Sequence, residues 1–255
     1  MAKTHFLAGL AAAVTGAICL ALYIQTPPPS VDGIRSYKAL VDSFEAVAFE
    51  NADGAIRPDN RLWKWLGPVT YSLSGAVTDR HRDILTRHFD ELARLTGLTF
   101  QNDQGSARMR ILFSRDKTEI RTWVSANEGG ERSLEFFQSV NCGAYIESGD
   151  DDAILRTLIV ITELEDTHLL NRCIVEETTQ ALGLRRDGAV YLPAIFSEDD
   201  TAASLTINDK ILVRTFYDRE IRPGMDHATA MPIARRLIRG FMRAAQTDEA
   251  ALAHH

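Results

Sequence analysis

Residues 173–184 read Cys173-Ile174-Val175-Glu176-Glu177-Thr178-Thr179-Gln180-Ala181-Leu182-Gly183-Leu184, and the spacing inside this stretch decides how the rest is read. It predicts the second half of a helix running from about Thr167 to Leu182. Gly183 closes that helix, because glycine most readily takes the left-handed conformation that ends one. Side chains four apart lie on one helix face, so Glu176 and Gln180 point the same way. Glu177 points about 100° further round. Two neighbouring carboxylates repel each other and resist burial unless something positive lies beside them. Because they diverge, they cannot flank one bond as a glycosidase acid and base do.

Working outward, the chain alternates between the two periodicities. Val69, Tyr71 and Leu73 alternate with polar residues as a half-buried strand. Thr78 is placed to cap a helix whose stripe is Ile84, Leu85, Phe89, Leu92 and Leu95, closed by Gly97. Residues 108–114 alternate again, and a polar stretch at 127–132 separates them from strands at 143–147 and 153–162. Leu158–Ile161 reads as strand buried on both faces. Beyond the quoted helix, Thr206-Ile207-Asn208-Asp209 forms a capping box ahead of another helix. A last amphipathic helix carries Ile233, Leu237, Ile238 and Phe241. One more amphipathic helix, at about 35–49, precedes the first strand. The expected organisation is 1–30 anchor or signal with a proline-rich linker, 31–61 helix and extension, 62–225 main domain, and 226–255 helix and tail.

The N-terminus sets the expected location. Lys3 precedes an uncharged run from Phe6 to Ile24, stopped by Pro27-Pro28-Pro29. That length suits a membrane-crossing helix, and no small-x-small cleavage site closes it. An uncleaved anchor is the first reading; a cleaved signal peptide and a lipoprotein at Cys19 are the alternatives. All three make the body exported and periplasmic or otherwise extracytoplasmic, with inner-membrane anchoring under the first. An oxidising compartment then favours a disulfide between Cys142 and Cys173, with two buried thiols as the alternative. The net charge of -7 argues against nucleic acid as a partner, since phosphate neutralisation needs basic surface.

The quoted helix resembles the zincin motif, His-Glu-x-x-His followed by x-x-Gly-x-x-His. In that motif, imidazoles four apart grip one zinc and the glutamate between them polarises bound water. Laid onto this chain, the ligand positions hold Glu176, Gln180 and Arg186. The catalytic position keeps Glu177, and the turn keeps Gly183. Leu192-Pro193-Ala194-Ile195-Phe196-Ser197 resembles the turn that places a methionine beneath the zinc, with Phe196 in that place. Residues 62–225 also resemble an uncharacterised family of exported bacterial proteins, a domain of unknown function. That family similarly shows Glu-Glu-x-x-Gln-x-Leu-Gly-Leu and a Tyr-Asp…Arg-Pro-Gly-Met segment, here Tyr217-Asp218 to Arg222-Pro223-Gly224-Met225. The resemblance implies an α+β, matrixin-like fold: a mixed twisted sheet with a long helix, a motif helix and C-terminal helices.

The substitutions change the chemistry. A carboxamide is a poor zinc donor, and a guanidinium stays protonated and only donates. No cofactor is therefore expected; an oxygen-rich Ca²⁺ or Mg²⁺ site at Glu176, Gln180 and Asp187 is the alternative. Arg186 is expected to pair with Glu176, Glu177 or both. His81 and His88 are expected on the solvent edge of their helix, His168 at a cap or surface, and the runs 150–152 and 198–200 in solvated turns. Two functions follow. The first is a non-catalytic module of the cell envelope that binds a peptide or an envelope protein in the groove beside its edge strand. The alternative is a hydrolase using Glu177 as general base with a noncanonical metal.

Overall fold

The computed structural model describes residues 33–50, 56, 60–127, 130–162, 164, 166–185, 194–197 and 202–253. The apolar segment 6–24, Cys19, Arg186, Asp187, Leu192-Pro193 and the acidic run 198–200 lie outside them. Among the described residues, no helix is long and apolar enough to cross a membrane.

The architecture is mixed α/β. In chain order it runs α1 (Tyr37–Phe49), β1 (Val69–Gly75), α2 (Asp79–Thr96), β2 (Phe100–Asn102), β3 (Met109–Ser114), α3 (Lys117–Ala126), α4 (Glu131–Ser139), β4 (Cys142–Ser148), β5 (Ile154–Thr162), α5 (Thr167–Gln180), α6 (Ile207–Phe216) and α7 (His227–Thr247). The strands form one sheet in the order β2-β1-β3-β5-β4. β1 pairs parallel with β2 and β3, and β3 with β5, whereas β4 runs antiparallel at the edge.

Both faces of the sheet are covered, which explains the unbroken apolar run of β5. Met109, Ile111, Phe113, Ile159 and Ile161 face a large core shared with α1, α2, α5, α6 and α7. Leu112, Leu158 and Val160 face the opposite way, onto Ile120, Val124 and Phe137 of α3 and α4. Those two helices, which the sequence reading did not name, flank the polar stretch expected at 127–132 and take in its last two residues. Ile120 and Val124 are the buried apolar residues of α3, and Phe137 that of α4, so the stripe is too narrow to announce a helix.

The caps form as expected. Thr78 and Thr206 each make a capping box, with His81 and Asp209 as the reciprocal partners, and Gly97 sits at φ 73°. The turn at 149–152 joins β4 to β5: Asp151 accepts from the Ala153 amide at 3.1 Å, and Asp152 accepts from Trp63 Nε1 at 3.1 Å.

Cys142 at the start of β4 is bonded to Cys173 in α5, with 5.9 Å between their Cα atoms. The bridge joins the edge strand to the helix behind it. Replacing both cysteines by alanine is expected to lower the unfolding free energy by about 3–4 kcal/mol, the chain-entropy value for a loop of this length. Denaturant melts of the oxidised protein and the double variant read this directly, and an unchanged midpoint would count against it.

Candidate functional site

The C-terminal half of α5 is almost sealed: Glu176, Glu177 and Gln180 are 8%, 5% and 7% exposed. Asp166 starts the helix by accepting from the amides of His168 and Leu169, and His168 itself is exposed. The far end is fixed by three aromatic residues outside the helix. Gly183 adopts φ 108°, and a Cβ there would lie 1.9 Å from the Trp63 carbonyl oxygen, so no other residue fits. Trp65 Nε1 donates to Ala181 O at 2.9 Å, and the Tyr217 hydroxyl donates to Leu182 O at 2.8 Å. These donors satisfy carbonyls that a helix end leaves open. Burial pushes the Tyr217 phenol well above its ordinary pKa, so it stays a donor.

A guanidinium does pair with Glu176, and it comes from Arg172, one turn earlier on the same helix. Arg172 Nε lies 3.2 Å from Glu176 Oε2, with both side chains nearly buried. Its Nη2 also donates to Ser197 O at 2.5 Å. That contact ties α5 to the turn holding the fully buried Phe196. The same turn is held from below, where the Ile195 amide donates to Asp209 at 3.0 Å. Arg186, the cation expected from the sequence, lies outside the described residues. The i, i+4 spacing of Arg172 and Glu176 was the available signal for this pair.

The two histidines of α2 correct an expectation. His81 and His88 are 8% and 4% exposed, not on a solvent edge. They are seven residues apart, on the same inward stripe as Ile84 and Leu85. His81 stacks on Phe113 at 4.1 Å. His88 Nε2 lies 3.0 Å from Thr179 Oγ1, and that hydroxyl donates to Val175 O at 2.6 Å, so Nε2 carries the proton.

Does this set fit a zinc ion? Glu176 already serves Arg172, Gln180 offers an amide, and Glu177 points elsewhere around the helix. Among the described residues, no three His, Cys, Asp or Glu side chains gather where they would hold a metal. The donors present do not suit zinc, which prefers imidazole and thiolate.

A groove of about 200 Å³ opens beside Gln180. One wall is the edge strand, through Ala144, Tyr145 and Ile146; Trp63, Arg185 and Phe136 complete it. Arg185 stacks on Trp63 at 4.1 Å and donates from Nη2 to Arg61 O at 3.3 Å. The Thr162 amide donates to Asn141 O at 2.8 Å, which sets the alternation along β4. Gly143, Tyr145 and Glu147 then bond to β5, while the amides and carbonyls of Ala144 and Ile146 point away from the sheet.

The fold and this site define a mixed α/β domain with a buried acidic helix behind an open sheet edge. The chain belongs to the family described as "Protein of unknown function (DUF2927)", whose model matches residues 37–236. Two solved structures of myroilysin are similar, each at 17% identity. One alignment covers 47% of this chain and 50% of that one at a TM-score of 0.29; the other covers 62% and 57% at 0.31. The chain thus spans little more than half the length of those structures, and likeness this weak carries no argument. No curated protein matches the chain.

Two outcomes follow from this packing. Arg172→Ala is expected to destabilise the protein by about 2 kcal/mol, because a nearly buried carboxylate loses its cation. Glu176→Gln, which keeps the shape without the charge, should cost less; equal losses in thermal melts would contradict the pairing. Burial lowers the pKa of His88 from 6.5 to about 3, so the unfolded chain takes up a proton first as pH falls. Stability from neutral His88 is complete above 6.5 and is lost progressively towards 3. Between about pH 7 and pH 5 the loss is about 2 kcal/mol, and it should vanish in His88→Gln when the two melts are compared.

Proposed function

We propose that this protein is a non-catalytic, zincin-shaped module of the cell envelope that takes an extended peptide segment of an envelope partner by adding it as a strand to β4. The observation that carries the reading is the antiparallel edge strand, whose outward amides and carbonyls at Ala144 and Ile146 face an apolar groove. Main-chain pairing at a free edge supplies affinity, and pockets for alternate side chains supply selectivity. The element order and the groove beside the motif helix support the zincin-like reading, in which clefts receive peptides in this manner.

The acid chemistry favours binding over hydrolysis. Glu177 acting alone as a general base contributes about 10²–10⁴-fold, far short of what peptide hydrolysis needs without an electrophile. Export and anchoring by the segment 6–24 belong to the same reading and would place the groove outside the cytoplasm.

The test uses Ala144→Pro. That proline removes one outward N–H and leaves the ladder to β5 intact, as prolines on sheet edges do. Random peptides displayed on phage and selected on the wild-type protein should bind at least about tenfold more weakly to the variant, an affinity difference of about 1.4 kcal/mol. Equal binding to both proteins would dispose of strand addition. Stoichiometric zinc retained through chelator-free purification, with a hydrolytic activity that Glu177→Ala abolishes, would favour the hydrolase instead.

A further inference from the structure

The groove is largely apolar, and Arg185 is the one charged residue among the described residues that line it. Its guanidinium carbon lies over the Trp63 ring, and among the described residues only Nη2 reaches a protein acceptor, the Arg61 carbonyl. No carboxylate among the described residues forms an ion pair with it. Asp152 attracts it from a distance, but that carboxylate is already an acceptor for Trp63 Nε1. Glu147, the acid of β4, is held by Arg156 through two bonds of 2.6 and 3.0 Å. Burial accordingly lowers the pKa of Arg185 despite Asp152, the mark of a cation short of counter-charge.

Arg185 is also built to stay there. It follows Gly183 by two residues, so the close approach to Trp63 that only glycine permits also fixes where the guanidinium begins. The indole beneath it is held by Asp152, and the backbone of the next residue, Lys64, bonds on both sides into the β4–β5 turn, to Asp152 O at 3.3 Å and from Ile154 at 2.8 Å. A stacked, weakly hydrated guanidinium with spare donors is suited to a carboxylate, which it binds through paired N–H groups.

We infer that the groove selects an extended peptide carrying an acidic side chain, which Arg185 receives while the backbone pairs with Ala144 and Ile146. This rests on the strand-addition reading above and adds the chemistry of the ligand to it. The side chain of Asp or Glu is the occupant; a peptide's C-terminal carboxylate is the rival that the test separates.

The probes are short fluorescein-labelled peptides of alternating Thr and Val with one central Glu, Gln or Lys, each made as C-terminal amide and as free acid. Binding to the oxidised full-length protein in mild detergent is read by anisotropy, and hydrogen exchange reports the amides of Ala144 and Ile146. The amidated Glu peptide is expected to bind about tenfold tighter than the Gln peptide, as for a charge-assisted hydrogen bond, and tighter still than the Lys peptide. The preference should fade with salt and disappear in Arg185→Gln, while Arg185→Lys keeps part of it. The comparison among peptides on the wild-type protein needs no variant, so a poorly folding Arg185→Gln does not block it. Glu and Gln peptides that bind alike while protecting Ala144 and Ile146 would overturn the carboxylate inference and leave strand addition standing. A preference for free acids over amides, whatever the central residue, would overturn the side-chain assignment. No binding and no protection with any peptide would overturn both.

Discussion

The close approach between Trp63 and Gly183 is the contact on which the rest of this molecule depends. A helix that ends against another backbone must bring its last carbonyls to donors and must turn at once. Here the donors are the indole of Trp65 and the phenol of Tyr217, and the turn is made by a glycine with no room for a Cβ. The segment Leu62–Trp65 is thereby wedged between α5 and the β4–β5 turn. On its other side, the Leu62 amide donates to Met225 O at 3.1 Å and Leu62 O accepts from the Gly224 amide at 2.9 Å. One short segment thus sets α5, the edge strand and the Arg222–Met225 turn relative to one another.

Lys64, inside that segment, shows how firmly it is held. Its ammonium is buried against the carbonyls of Asp218 and Ile221 and lies 4.9 Å from the Tyr217 ring centroid. Burial lowers its pKa to about 8, with Asp218 opposing the shift. A desolvated cation persists only where dipoles and aromatic faces replace its water. Tyr217 and Asp218 of the Tyr-Asp…Arg-Pro-Gly-Met segment therefore work as scaffold: one closes the helix and the other steadies the buried lysine.

What the sequence disclosed was what is local. The alternation in β1 and β3, the apolar run of β5, the stripe of α2, the capping residues Thr78 and Thr206 and the closing Gly97 and Gly183 all follow from spacing over a few residues. The helices α3 and α4 escaped because their buried stripes are too narrow to stand out from a loop. His81 and His88 were misplaced because polarity was weighed above period; their seven-residue separation already put them on the apolar stripe. In the candidate site, the acidic face of α5 was visible, and so was the need for a cation. Arg172, one turn away on the same helix, supplies a cation that the sequence reading did not name, and Arg186 lies outside the described residues. The pairing of Trp63 with Arg185 joins residues far apart in the chain and left no local trace.

The two charges near the end of α5 divide the work. Arg172, within α5, pairs with Glu176 and donates to Ser197 O of the Phe196 turn. Arg185 lies on the open side, stacked and only partly satisfied. Between them the disulfide fixes β4 to α5, so the edge strand and the guanidinium form one rigid frame before anything binds. Rigidity of that kind lowers the entropy cost of ordering a flexible peptide against the edge. Glu176 is engaged by Arg172, while Gln180 borders the groove. The groove brings together the outward backbone of β4 and the spare donors of Arg185. The strand addition proposed above draws on both.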